Sequence, residues 1–185
     1  MTQMQLIQHI STFDNFRVVK FRNKLKEQNF SLSELVELTF HGDPQVAQKA
    51  SKILQYIIFK FPANYIEEIG YLIEQVTEVD CNTCRMHYAK ILLHLTSPEV
   101  PKNVRNKVKE LDFEPIAELC FQWLKDTKMA TTVRTSAAET LFNLRHRYPW
   151  IAEALSRELE ALMLYASPML KYKANYILSY LHCED

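Results

Sequence analysis

Cys81 and Cys84, in Cys-Asn-Thr-Cys with His87 three residues on, are the densest group of metal-ligating and redox-capable side chains in the chain. The spacing supplies three zinc ligands from the start of one helix. A structural tetrahedral site needs a fourth, and His94, the nearest candidate, lies almost two helical turns beyond His87. Thioredoxin-like redox work needs a βαβ setting that this composition denies, and haem attachment needs a His directly after the second cysteine, where Arg85 stands. The pair is therefore expected to be reduced and metal-free, with Cys84 buried as a small apolar side chain. With Cys120 and Cys183 the chain has four cysteines, too few and too scattered for a secreted disulfide framework. The histidines at 9, 41, 87, 94, 146 and 182 form no His-Glu-x-x-His spacing, and no serine sits in a Gly-x-Ser-x-Gly elbow. The acidic pairs Glu67 with Glu68, Glu158 with Glu160 and Glu184 with Asp185 read as solvated surface charge. No catalytic residue, metal or cofactor is assigned.

The elements that carry these residues follow from composition. Only 2 of the 185 residues are Gly and 7 are Pro, so hairpin turns and phosphate-cradling loops have almost no raw material. An all-α fold is expected. Lys plus Arg equals Asp plus Glu at 22 each, which gives no global attraction to nucleic acid or acidic membranes. The longest uncharged apolar stretch, Ala161 to Leu170, is interrupted by Ser167 and Pro168 and falls short of the ~20 residues of a membrane span. The N-terminus lacks the basic start and compact apolar block of a signal peptide, and a cytoplasmic location is expected.

Four twelve-residue windows align without a gap, beginning at Val46, Cys84, Val133 and Leu170. Their first, fifth, ninth and twelfth positions fall within ~80° on a helix wheel. They hold Val46, Ala50, Leu54 and Ile57; Cys84, Tyr88, Leu92 and Leu95; Val133, Ala137, Leu141 and Leu144; and Leu170, Ala174, Leu178 and Leu181. One apolar stripe thus recurs, with a small residue at its second position in three windows. The pattern predicts helices over 46–59, 84–96, 133–146 and 169–181. Pro62 and Pro149 each follow a window by five residues and mark corners between helices. Leu38, Val76 and Leu162 precede three windows by eight residues and place the ends of preceding helices near Phe40, Thr77 and Tyr165. Window spacings of 38, 49 and 37 residues are near the ~40 of a two-helix repeat. The longest interval accommodates an inserted amphipathic helix near 98–112, with Val104, Val108 and Leu111 on one face and Lys102, Arg105 and Lys109 on another. Residues 1–30 escape the repeat and are expected to form an irregular helical cap, carrying Phe13, Phe16, Val18, Phe21 and Leu25. After it, Ser31 and Glu34 have capping-box spacing.

Asp43, Pro44, Val46, Ala50 and Leu54 in the first unit, and Val133, Arg134, Ala137 and Leu141 in the third, resemble the second helix of a HEAT or HEAT-like repeat: an Asp-Pro turn, then Val-Arg-x-x-Ala-x-x-x-Leu. The resemblance covers roughly Ser31 to Leu181. It departs at Ala47 for Arg, at Cys84 and Tyr88 for Val and Ala, and at Leu170 and Lys171 for Val-Arg. It implies an α-α superhelix, a short solenoid of helical hairpins spanning 1–185 as one domain, of a kind commonly used as a protein-binding scaffold.

Positions opposite the stripe should form outward ladders: Gln48, Met86, Thr135 and Tyr172; Lys52, Lys90, Glu139 and Tyr176; Tyr56, His94, Asn143 and Tyr180. The last suits hydrogen bonding and flat packing against a protein partner, or against a neighbouring unit. Arg85, Arg134 and Lys171 form a basic row at its edge, to be paired with neighbouring Asp or Glu. On the C-terminal helix, Tyr172, Tyr176 and Tyr180 recur every four residues along one side, beside Met169 and Ile177. This describes either a solvated cap or a surface shared with a partner or a second copy in a homodimer. The expected function is a non-catalytic protein interaction module. The alternative is a nucleic-acid-directed protein similar to the HEAT-like alkylpurine DNA glycosylases, drawing charge from Arg85, Arg134, Lys171, Arg145 and Arg147, with Trp123, Trp150 and Asp126 at a site.

Overall fold

A computed structural model describes residues 31–184 and the single position Ile7, so the cap expected over 1–30 lies outside the described residues. The described residues are all-α, with no strand among them. The chain divides into two compact units, Met1–Tyr88 and Ala89–Asp185.

In the first unit, helix α1 (Leu32–Leu38) is followed by α2 (Pro44–Lys60), a 3-10 segment (Pro62–Glu68), α3 (Ile69–Gln75) and a 3-10 turn (Val76–Glu78). Helix α4 (Asn82–Thr96) begins in this unit and contains the division. Asp43 Oδ1 accepts the Gln45 N–H at 2.8 Å and Pro44 takes the first helical position, so the Asp-Pro pair starts α2 as the sequence pattern requires. The backbone leaves helical geometry at Phe61, and Pro62 opens the next segment.

Ser31 caps α1 by accepting the Ser33 N–H at 3.1 Å. The carboxylate that completes this cap is not Glu34, which is exposed. Glu68 supplies it from the end of the 3-10 segment, its Oε2 accepting from Ser31 Oγ at 2.6 Å, Ser33 N at 2.9 Å and Ser33 Oγ at 3.1 Å. Glu68 is therefore a tertiary anchor, not the free surface charge expected of it.

The second unit holds the rest of α4, then α5 (Lys102–Glu110), α6 (Glu114–Lys125), α7 (Thr131–Leu144), α8 (Trp150–Leu162) and α9 (Pro168–Glu184). Helix α7 packs against α6, α8 and α9, and α8 against α9. Helix α5 is the inserted helix, with Val104 and Val108 buried and Lys102, Arg105 and Lys109 exposed. Every position of the four predicted stripes is buried. Ile177, expected to face outward, is fully buried as well, which widens the inward face of α9.

Tyr88 shows why one stripe tolerates a large residue where three have alanine. Its ring is buried, and its hydroxyl lies 2.8 Å from Thr39 Oγ1. Thr39 spends its only hydroxyl proton on the Val36 carbonyl at 2.7 Å, so Tyr88 is the donor. Burial, the largest influence, raises the phenol's pKa and keeps it protonated for that role.

Glu68→Ala is expected to destabilise the chain by about 1–2 kcal/mol in urea unfolding, the value of a cap with its hydrogen bonds, while Glu34→Ala changes stability by less than about 0.5 kcal/mol.

Candidate functional site

The ladder residues separate into two classes. Tyr56, in the first unit, is half-buried with its ring 6.4 Å edge-on from Phe61. His94 and Asn143, in the second, are also half-buried. Burial lowers the His94 pKa against an opposing pull from Glu99, and Asn143 Nδ2 donates to Thr96 Oγ1 at 3.3 Å. Of the last ladder only Tyr180 is exposed. On α7 the outward positions are met by neighbours: Thr135 is buried, and Glu139 pairs with Lys173 of α9 at 2.7 Å.

The basic row also dissolves. Arg85 folds back on its own helix start, Nε donating to the Val79 carbonyl at 2.9 Å and Nη1 to Asn82 Oδ1 at 3.2 Å. Arg134 is only 6% exposed, and its Nε donates to the Leu124 carbonyl in the last turn of α6 at 2.9 Å. Both were expected on a docking surface beside carboxylates, and both instead satisfy backbone carbonyls. A guanidinium on a flexible stem reaches the negative end of a helix more readily than its Cα register implies.

What remains exposed is one side of α9. Met169, Tyr172, Tyr176 and Tyr180 lie along it, with Tyr172 73% exposed and Tyr176 and Tyr180 about half. Leu164 and Tyr165, in the turn before α9, are exposed too, Leu164 to 85%. The rings are ordered against one another: Tyr176 and Tyr180 have centroids 5.0 Å apart, and Tyr180 meets Phe142 edge-on at 6.0 Å. A hydrogen bond with Tyr180, then that residue's charge, raises the Tyr176 pKa. Lys173 Nζ sits 5.6 Å from the Tyr176 ring centre.

A second feature lies at the ends of α4 and α7. A cleft of about 690 Å³ is bounded by Leu95–Pro98, by Arg105, Val108 and Lys109 of α5, and by Phe142–Arg147. Leu95, Val108, Phe142 and Leu144 make its apolar part, and its ionisable lining is Arg105, Lys109, Arg145, His146 and Arg147, with no carboxylate. The guanidiniums again serve carbonyls. Arg105 donates to Pro98 at 2.7 Å and Val100 at 3.2 Å, Arg147 to Val108 at 3.0 Å and to Leu111, and Arg145 to Phe142 at 2.7 Å while lying 3.8 Å from the Phe142 ring centre. The sequence placed Arg145 and Arg147 in a nucleic-acid reading but gave no signal that α5 would bring Arg105 and Lys109 beside them. The other residues of that reading do not form a reactive group: Trp123 is buried, Trp150 packs 5.6 Å from Phe121, and Asp126 Oδ1 accepts the Lys128 N–H.

No metal-holding group of His, Cys, Asp and Glu occurs among the described residues. His87 Nδ1 donates to the side-chain Oε1 of Gln55 at 2.7 Å. No protein-family model, curated protein or solved structure matches the chain.

Arg147→Met is expected to release the end of α5. Two charge-assisted bonds to Val108 and Leu111 are lost, and amide hydrogen exchange over residues 102–111 should accelerate about tenfold or more.

Proposed function

We propose that the protein is a non-catalytic protein-binding module built from HEAT-like helical hairpins, and that the tyrosine side of α9 is its contact surface. The observation that supports this is the exposure of Tyr172, Tyr176 and Tyr180 with Met169 on one helix side. Tyrosine combines a large apolar ring with a polar tip, and interfaces are enriched in it because it gains area at small entropic cost. The partner is another protein, with a second copy of the chain as the homodimeric form of the same contact. No described helix is long and apolar enough to cross a membrane.

Tyr172→Glu/Tyr176→Glu is the test, because both residues are exposed and the far-ultraviolet spectrum and thermal midpoint should not change. Proteins recovered from native lysate by the unmodified chain are expected to be lost by the double variant. Light scattering at micromolar concentration identifies the homodimeric form by a two-chain mass that falls to one chain in the variant. Retention of the same partners by the double variant overturns the assignment of α9, and turnover of a screened substrate with no protein recovered overturns the module.

The cleft between α5 and α7 supports a second reading, in which the protein is directed to nucleic acid. Several cations there face no lining carboxylate, in a chain of zero net charge. Fluorescence anisotropy with a labelled oligonucleotide decides this reading at ~50 mM salt, where phosphate contacts are strong. Binding that weakens steeply with salt and is lost in Arg105→Ala/Lys109→Ala supports it, and absence of binding removes it.

A further inference from the structure

The Cys-Asn-Thr-Cys segment is unequal in its two sulfurs. Cys81 is the cap residue of α4: its carbonyl accepts the Arg85 N–H at 2.9 Å, the first bond of the helix. Its thiol is partly exposed and 3.1 Å from Thr83 Oγ1. Burial alone would raise the Cys81 pKa, but the Thr83 hydroxyl at 3.1 Å and the neighbouring polar groups of the first turn outweigh it and hold the group below the ordinary thiol value. Cys84, in the first turn, is fully buried, with its sulfur 3.9 Å from the Thr39 carbonyl oxygen. Burial pushes its pKa up to about 11. Cys81 and Cys84 stand three residues apart at the start of α4, where positions i and i+3 have Cα atoms roughly 5–6 Å apart, a separation that a disulfide spans.

This is the arrangement of an attacking and a resolving thiol. An accessible sulfur stabilised by the donors of a helix start reacts first, and a protonated sulfur one turn away completes the exchange. The α4 start supplies those donors without any sheet. We propose that Cys81 and Cys84 form a reversible dithiol–disulfide couple that exchanges with small-molecule disulfides, Cys81 attacking and Cys84 resolving. The Cys81 thiolate attacks one sulfur of the small disulfide, breaks its S–S bond and expels one thiolate, leaving a mixed disulfide on Cys81. Cys84 then gives its proton to the expelled thiolate through solvent and its sulfur attacks Cys81. The mixed bond breaks, the second small thiolate leaves with the proton from Cys81 that solvent had taken up, and the Cys81–Cys84 bond forms. Two electrons pass to the small disulfide, which becomes two thiols. Oxidation also removes the proton that Cys84 directs at the Thr39 carbonyl, in the same residue whose hydroxyl receives Tyr88.

The test equilibrates the full chain in buffers of varied reduced-to-oxidised glutathione ratio, quenches with acid, blocks free thiols with N-ethylmaleimide and reads tryptic peptides by mass. Residues 61–85 form one peptide holding both cysteines and neither Cys120 nor Cys183. It should pass from doubly blocked to an unblocked form two hydrogens lighter than the free dithiol peptide, in one two-electron step that dithiothreitol reverses. In Cys84→Ser, glutathione should remain on Cys81. Cys84→Val, which places a stripe residue found in two other windows at that position, gives the same readout if the serine variant does not fold. Blocking of Cys81 should be half-maximal below the ordinary thiol value of about 8.5. A wild-type peptide that stays doubly blocked, or carries glutathione without the internal bond, at every ratio overturns the proposal. So does a Cys84 that is blocked faster than Cys81.

Discussion

The four helices that begin near Val46, Cys84, Val133 and Leu170 each carry an apolar stripe, and the fold of the described residues depends on burying it. With almost no glycine and no strand among the described residues, apolar area is removed from water only by helix against helix. The second stripe position sets how closely neighbours approach. Ala50, Ala137 and Ala174 are all buried there, and a larger side chain would have to displace packed atoms. Tyr88 is accommodated because its hydroxyl reaches a donor–acceptor chain through Thr39 to the Val36 carbonyl, so a polar atom enters the core without losing its hydrogen bond.

Burying stripes leaves the helix ends, whose last carbonyls have no partner in their own helix. The cationic side chains answer that need repeatedly: Arg134 at Leu124, Arg145 at Phe142, Arg147 at Val108. Each places positive charge where the helix dipole is negative. This explains how a chain of zero net charge has a cleft whose ionisable lining holds no carboxylate, because the local compensation there includes carbonyl dipoles that a count of Asp and Glu does not register.

These two demands differ in how visible they are in the sequence. The stripe is periodic, so the helices expected over 46–59, 84–96, 133–146 and 169–181 appear as Pro44–Lys60, Asn82–Thr96, Thr131–Leu144 and Pro168–Glu184, and the insertion as Lys102–Glu110. Satisfying polar ends is not periodic. Glu68 serves Ser31 across 37 residues, where the local Glu34 had the right spacing, and Arg85 and Arg134 turn from an outward register to nearby carbonyls. The tyrosines of α9 were legible because they recur every four residues along one side of their helix, whereas Tyr56, His94 and Asn143 depended on neighbours that register alone does not place.

Cys84 belongs to both demands at once, which is why its chemistry was hidden. As a stripe residue it is a small buried side chain, and that description holds. The same burial keeps its proton on, while the cap position one turn earlier sets Cys81 beside the Thr83 hydroxyl. The expectation that such a dithiol needs a βαβ setting ties activity to fold. The operative physics is local: a helix start lowers one thiol, a core raises the other, and three residues hold them in reach. A helix that begins at a cysteine and buries another one turn later therefore assembles an unequal dithiol as a by-product of folding its stripe.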